Sequence, residues 1–198
     1  MQTNNYLKFL NTLKEIKGTP KLLLHACCAP CSTFCLERLV GYFDITLYFY
    51  NPNITSREEF EKRYIELETF INKVYKDKVK IIKAPYESHE FYTAVQGLES
   101  EPERGKRCKV CYYLRLRKTA EYAKNFSYDY FATTLTLSPH KNATWLNEIG
   151  ESLASERVKY LNSDFKKEGG YLRSIELSKK FDLYRQDYCG CEFSKGLK

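Results

Sequence analysis

Residues 21–31 read KLLLHACCAPC, three leucines closed by His25 and then Cys27, Cys28 and Cys31 with Pro30 among them. A short apolar run bounded by a polar loop reads as a buried strand. Proline suits the first turn of a helix, so the stretch predicts a strand running through a thiol loop into a helix. Four more β-rich runs follow, at 45–50 (ITLYFY), 79–84 (VKIIKA), 128–134 (YDYFATT) and 158–161 (VKYL). Helical patterns lie between them at about 30–43, 57–75, 90–97, 108–126 and 140–155, with one more near 171–181. The first twenty residues read as an amphipathic helix ending near Gly18. This alternation predicts an α/β fold with a mainly parallel sheet and helices on both faces. With no linker, repeat or low-complexity tract to divide it, the chain of 198 residues is expected to be a single domain over 1–198.

The unusual sequence sits just after each strand: the cysteine loop itself, Asn51-Pro-Asn53-Ile, Pro85-Tyr86, LTLSPHKN at 135–142 and NSDFKK at 162–167. In an open α/β sheet, ligands bind beyond the carboxyl ends of the strands. The five loops are therefore expected to converge on one crevice with the cysteines at its floor.

Eight cysteines are too few for a disulfide-stapled mini-domain, and they are clustered, which suits a metal or redox site. Cys27, Cys28 and Cys31 surround a helix start, where unpaired N–H groups favour the thiolate that metals require. Cys108 and Cys111 stand at i and i+3 and share a face if helical. Together they offer thiolates enough for an iron–sulfur cluster or a four-cysteine zinc site. Cys35, one turn beyond Cys31, reads as a small buried hydrophobe. Cys189-Gly-Cys191 can close on itself as a strained, labile disulfide or ligate the same metal, and spacing alone does not separate the two.

The net charge is +7, and between 104 and 118 seven Lys/Arg occur without a single acid, around the Cys108/Cys111 pair. Such a stretch can dock a polyanion or be a solvated helix face. Tyr112, Tyr113 and the Tyr48/Tyr50 pair are candidates to stack on a base, although most of 17 tyrosines belong to a core. Of three histidines, His140 in Ser-Pro-His-Lys-Asn is a candidate substrate contact or proton donor. Phosphate-loop and dinucleotide motifs are missing, so ATP is not expected as a partner. Neither an apolar run of about 18 residues nor a signal-peptide pattern occurs, which predicts no membrane association and a cytoplasmic location with reduced thiols.

Six blocks carry a resemblance to a known family: LLHACCAPCS at 23–32, FYNPN at 49–53, RCKVCYYLRL at 107–116, TTLTLSPHKN at 133–142, SDFKK at 163–167 and YRQDYCGC at 184–191. In this order, across nearly the whole chain, they resemble the QueH type of epoxyqueuosine reductase. The resemblance implies a Rossmann-like fold akin to the adenine-nucleotide-hydrolase group, without its nucleotide loop. It implies reduction of the epoxide of epoxyqueuosine, at the wobble position of certain tRNAs, to the alkene of queuosine, without cobalamin. By the family pattern Cys27, Cys28, Cys108 and Cys111 hold a [4Fe–4S] cluster, with Cys31 a further candidate, and some members carry an extra iron beside it. Cys189 and Cys191 would form the redox-active pair. Asn51, Asn53, Ser138, His140, Lys141, Asn142 and Arg185, with Gln186, would line the substrate pocket. The basic stretch would then hold the tRNA backbone through Lys106, Arg107, Lys109 and Arg115.

Converting an epoxide to an alkene takes two electrons and two protons, and among side chains only a dithiol supplies electrons. An iron with an open position can act as Lewis acid on the epoxide oxygen. The electron donor to this chain is not encoded in it. Two rival readings share the cysteines: an iron–sulfur tRNA thiolase, which needs ATP, and a zinc-stabilised RNA-binding module without activity.

Overall fold

The computed structural model describes residues 4–195; residues 1–3 and 196–198, which fall within the expected first helix and the expected single domain, lie outside it. Five parallel strands, β1 (Lys21–His25), β2 (Asp44–Phe49), β3 (Val79–Lys83), β4 (Tyr130–Thr133) and β5 (Lys159–Tyr160), form one sheet in the order β3-β2-β1-β4-β5. Seven helices accompany them: α1 (Asn5–Glu15), α2 (Ala29–Leu39), α3 (Arg57–Val74), α4 (Ser88–Ala94), α5 (Lys106–Asn125), α6 (Ala143–Leu153) and α7 (Gly170–Lys180). No helix among the described residues is long and apolar enough to cross a membrane.

Alternation along β1 sets the two layers. Leu22 and Leu24 pack with Phe9 and Leu13 of α1, Leu36 and Leu39 of α2, and Leu67 and Phe70 of α3. Leu23, pointing the other way, packs with Tyr112 and Leu116 of α5 and Leu146 and Ile149 of α6. All five residues of β1 but Lys21 are buried, as a central parallel strand covered on both faces must be. A smaller cluster of Phe91, Val95, Cys111, Leu114 and Cys191 ties α4 and α5 to the C-terminal segment.

The sheet grows outward from β1 in one direction through β2 and β3, and in the other through β4 and β5. The direction of winding thus reverses between β1 and β4. A crevice opens there because the connections leaving the two strands go to opposite faces. The expected Rossmann-like α/β architecture is the one observed, and the sheet is wholly parallel.

Candidate metal centre and substrate cavity

Beyond β1 the chain turns through Ala26 and Cys27 into α2, with Cys28 in the N-cap position and Pro30 in the first turn. This places the sulfurs of Cys27, Cys28 and Cys31 within 4.8 Å of one another. Cys27 Sγ lies 3.7 Å from Cys28 Sγ and 3.9 Å from the Thr134 hydroxyl, beyond β4. Hydrogen bonds from the Cys28 and Cys31 thiols hold Cys27 well below the usual thiol pKa, whereas its proximity pushes Cys28 up to about 12 and Cys31 well above the usual value.

Two buried arginines face this group. Arg63 of α3, 1 % exposed, binds Glu59 Oε1 at 2.6 Å and donates to the main-chain carbonyls of Cys189 and Tyr188 at 3.3 Å each. Arg115 of α5 is 3 % exposed and donates to the Cys111 carbonyl at 3.4 Å. Burial works against both charges; Cys28 and Glu59 outweigh it for Arg63, and Cys111, Cys27 and Cys189 outweigh it for Arg115. A buried cation without a carboxylate partner demands another anion. At Arg115 the neighbouring acidic groups are the thiols of Cys111, Cys27 and Cys189.

A cavity of about 360 Å³ opens above the thiols. Cys27 and Cys31 lie at its floor, Ser138, His140 and Lys141 on the β4 side, and Arg185, Gln186, Asp187 and Cys189 on the other. A second cavity of only about 20 Å³ adjoins it and is lined by Cys108, Cys111, Cys189 and Cys191; Arg115, Lys141, Cys189 and Ser194 line both. Cys108 Sγ accepts the Arg104 N–H at 3.2 Å. Hydrogen bonding from Cys191, with the Lys141 ammonium nearby, holds the Cys189 thiol well below the usual pKa and drives Cys191 up. All eight cysteines are unbridged. Cys35, fully buried, points its thiol at the Cys31 carbonyl within the core.

Several expected positions fall elsewhere. Asn51 donates to the Ala26 carbonyl at 2.9 Å and Asn53 to the Cys189 carbonyl at 3.1 Å, so both hold the loops that shape the site and neither lines the large cavity. Asn142 caps α6, accepting the Trp145 N–H at 3.1 Å. Arg107, 2 % exposed, turns inward to the carbonyls of Leu98, Glu99 and Glu101. It and Arg115 are buried on the inner face of α5, where Arg115 lines both cavities, and Lys106 and Lys109 remain exposed. Tyr112 is core, and Tyr48 and Tyr50 are buried with their rings 6.1 Å apart. The loops after β3 and β5 do not line the large cavity, whose far wall is instead the tail from 185 to 189 with Tyr171 and Ser174 of α7.

Arg63 escaped the sequence reading. Its only signal is the i,i+4 Glu59–Arg63 pair, which on a helix normally marks a solvated face.

A family model described as "Epoxyqueuosine reductase QueH" matches residues 22–196. Relatives bearing that name include one from Streptococcus pyogenes serotype M1, 45 % identical over 90 % of this chain and 72 % of the relative. Another, from Staphylococcus aureus, is 43 % identical over 96 % and 85 %. A third, from Thermotoga maritima, is 35 % identical over 87 % and 89 %.

Proposed function

Because the chain belongs to the QueH family of epoxyqueuosine reductases, we propose that it reduces epoxyqueuosine in tRNA to queuosine, with an iron–sulfur cluster on its clustered thiols and a dithiol relay. The observation that carries this reading is the thiol trio, within 4.8 Å, at the floor of a cavity at the winding reversal of the sheet. The donor set is soft and readily anionic, as iron and sulfide require, and Arg63 and Arg115 are buried counter-charges for it. Cys27 and Cys28, in the turn that leads into α2, would supply ligands, and Cys108 and Cys111 of α5 would supply more. Cys31 belongs with the first group by distance, a fifth thiol beside those four. A cluster held by these thiols would supply single electrons and Lewis acidity toward the epoxide oxygen.

The remaining roles fall to the chain itself. Ser138, Arg185, Gln186 and Asp187 offer hydrogen bonds to a polyhydroxylated ring entering the cavity. Lys141, buried in the wall of both cavities and held in its charged form by Cys189, together with His140 at the rim, is placed to hold and protonate the oxygen as its C–O bond breaks. Cys189 and Cys191 balance the chemistry: two thiols become one disulfide, releasing two electrons and two protons, while the epoxide takes up both and leaves as alkene and water. Gly190, at φ +97°, permits the tight ring, and its carbonyl accepts the Thr55 N–H at 3.1 Å, fixing the loop over the site. An outside donor then returns the disulfide to dithiol. Lys106 and Lys109 meet the tRNA backbone, and a cytoplasmic setting keeps the thiols reduced.

Iron and acid-labile sulfide analysis beside turnover tests the assignment. Serine at Cys27, Cys28, Cys108 or Cys111 is expected to lose cluster and activity together, because a hard neutral oxygen replaces a soft anion. Alanine at Cys189 or Cys191 is expected to keep iron and stop multiple turnovers. A colourless, zinc-containing wild-type protein contradicts the reading.

A further inference from the structure

We propose that the outer face of α5 is a stacking platform for a single-stranded RNA loop, with Tyr113 taking a base and Lys106 and Lys109 the flanking phosphates. The inference rests on the reading of tRNA as substrate and adds which part of it is gripped. Residues 106, 109 and 113 recur at helical spacing on one side of α5, while Arg107, Cys111 and Arg115 turn to the interior. Tyr113 is 47 % exposed, more than Tyr42 or Tyr92, the other exposed tyrosines among the described residues. On the same helix Tyr112 is 1 % exposed, so the two adjacent rings face opposite ways, one into the core and one outward.

The cations beside it are equally unspent. Among the described residues no carboxylate lies within 4 Å of the Lys106 or Lys109 ammonium, whereas Arg117 and Lys118 on the same helix pair with Glu121 and Glu90. Lys109 Nζ instead sits 5.3 Å from the centre of the Trp145 ring, which holds it one turn from Tyr113. Trp145 lies in the first turn of α6, and His140, five residues before it in the chain, is exposed and lines the large cavity. Interleaved cations and an exposed ring fit unstacked bases on a phosphate chain; a duplex offers phosphates but no open base face.

The probe is an unmodified anticodon stem-loop hairpin, with a blunt duplex of the same stem as control, in fluorescence anisotropy. Tyr113→Ala is expected to weaken hairpin binding about ten- to a hundredfold and Tyr113→Phe to restore it, with duplex binding unchanged. Lys106→Ala with Lys109→Ala is expected to flatten the salt dependence of hairpin binding by a slope of about 1.4. Unchanged hairpin affinity in Tyr113→Ala, or an equal loss for the duplex, overturns the platform. Wild-type protein that grips the hairpin through Tyr113 yet reduces no epoxide upholds the platform and overturns the reductase reading.

Discussion

Buried at the end of β1, His25 is neutral: burial first, and then the Arg115 charge, lower its pKa to about 4. Its Nε2 faces the Tyr50 carbonyl at 3.0 Å and so carries the proton, leaving Nδ1 to accept the Thr133 hydroxyl at 3.0 Å. The ring thereby joins the loops that leave β1, β2 and β4. Between pH 6.5 and 4 the unfolded chain binds the proton and the folded chain does not. The stability this brings is full above pH 6.5 and is lost as the pH falls toward 4, about 2 kcal/mol of it by pH 5. His25→Gln is expected to flatten the denaturation midpoint over that window; an unchanged slope assigns the acid sensitivity to other groups. Arg63→Ala leaves Glu59 and two main-chain carbonyls without their donor, at a cost of roughly 3 kcal/mol, and faster proteolysis within the 184–191 segment is the accompanying sign. The direction in which Arg107 and Arg115 point was legible, since 107, 111, 115 and 119 repeat at helical spacing and lie inside. Counting charge along 104–118 hides that period.

Strands and helices were legible as elements because period 2 and period 3.6 are set by the backbone. The stretch after β4, read as a loop from residue 135, opens with a 3-10 turn at Thr134–Leu137. Its alternating TLTL continues the pattern of β4, but the Thr133 hydroxyl accepts the Leu135 N–H at 3.1 Å and ends the strand. That turn is what brings the Thr134 hydroxyl to Cys27. The junction into α7 is equally local in cause. A β-carbon on Gly170 would stand 1.9 Å from the Phe165 carbonyl oxygen and 2.4 Å from the Phe34 ring, so only glycine lets α7 pack on α2. Gly170→Ala is expected to destabilise by more than about 2 kcal/mol, whereas Gly41→Ala, with no atom within 4 Å of the new carbon, should stay within about 0.5 kcal/mol. Equal melting temperatures for the two variants would show that the α7 junction yields.

At the scale of the whole molecule, the site is two cavities sharing a wall of Arg115, Lys141, Cys189 and Ser194. The sequence placed the crevice, because strand-end loops of a parallel sheet converge wherever the winding reverses. It could not say that the tail after α7 folds back to become the far wall. That depends on contacts between residues far apart in the chain, Arg63 and Asn53 holding the carbonyls of Tyr188 and Cys189, and no local period encodes them. The grouping of Cys31 with Cys27 and Cys28 is local, set by the turn from β1 into α2, whereas that of Cys108 and Cys111 with the Cys-Gly-Cys pair is tertiary for the same reason. The central claim is that this thiol-floored cavity takes the oxygen from an epoxide. Its most direct test is to incubate anaerobically purified, iron-loaded protein with a chemical reductant and tRNA carrying epoxyqueuosine, and then to weigh the released nucleosides by mass spectrometry. The account predicts a product lighter by one oxygen atom, formed by the wild type and abolished by Cys27→Ser. Unaltered epoxyqueuosine after incubation with fully iron-loaded wild type would contradict it.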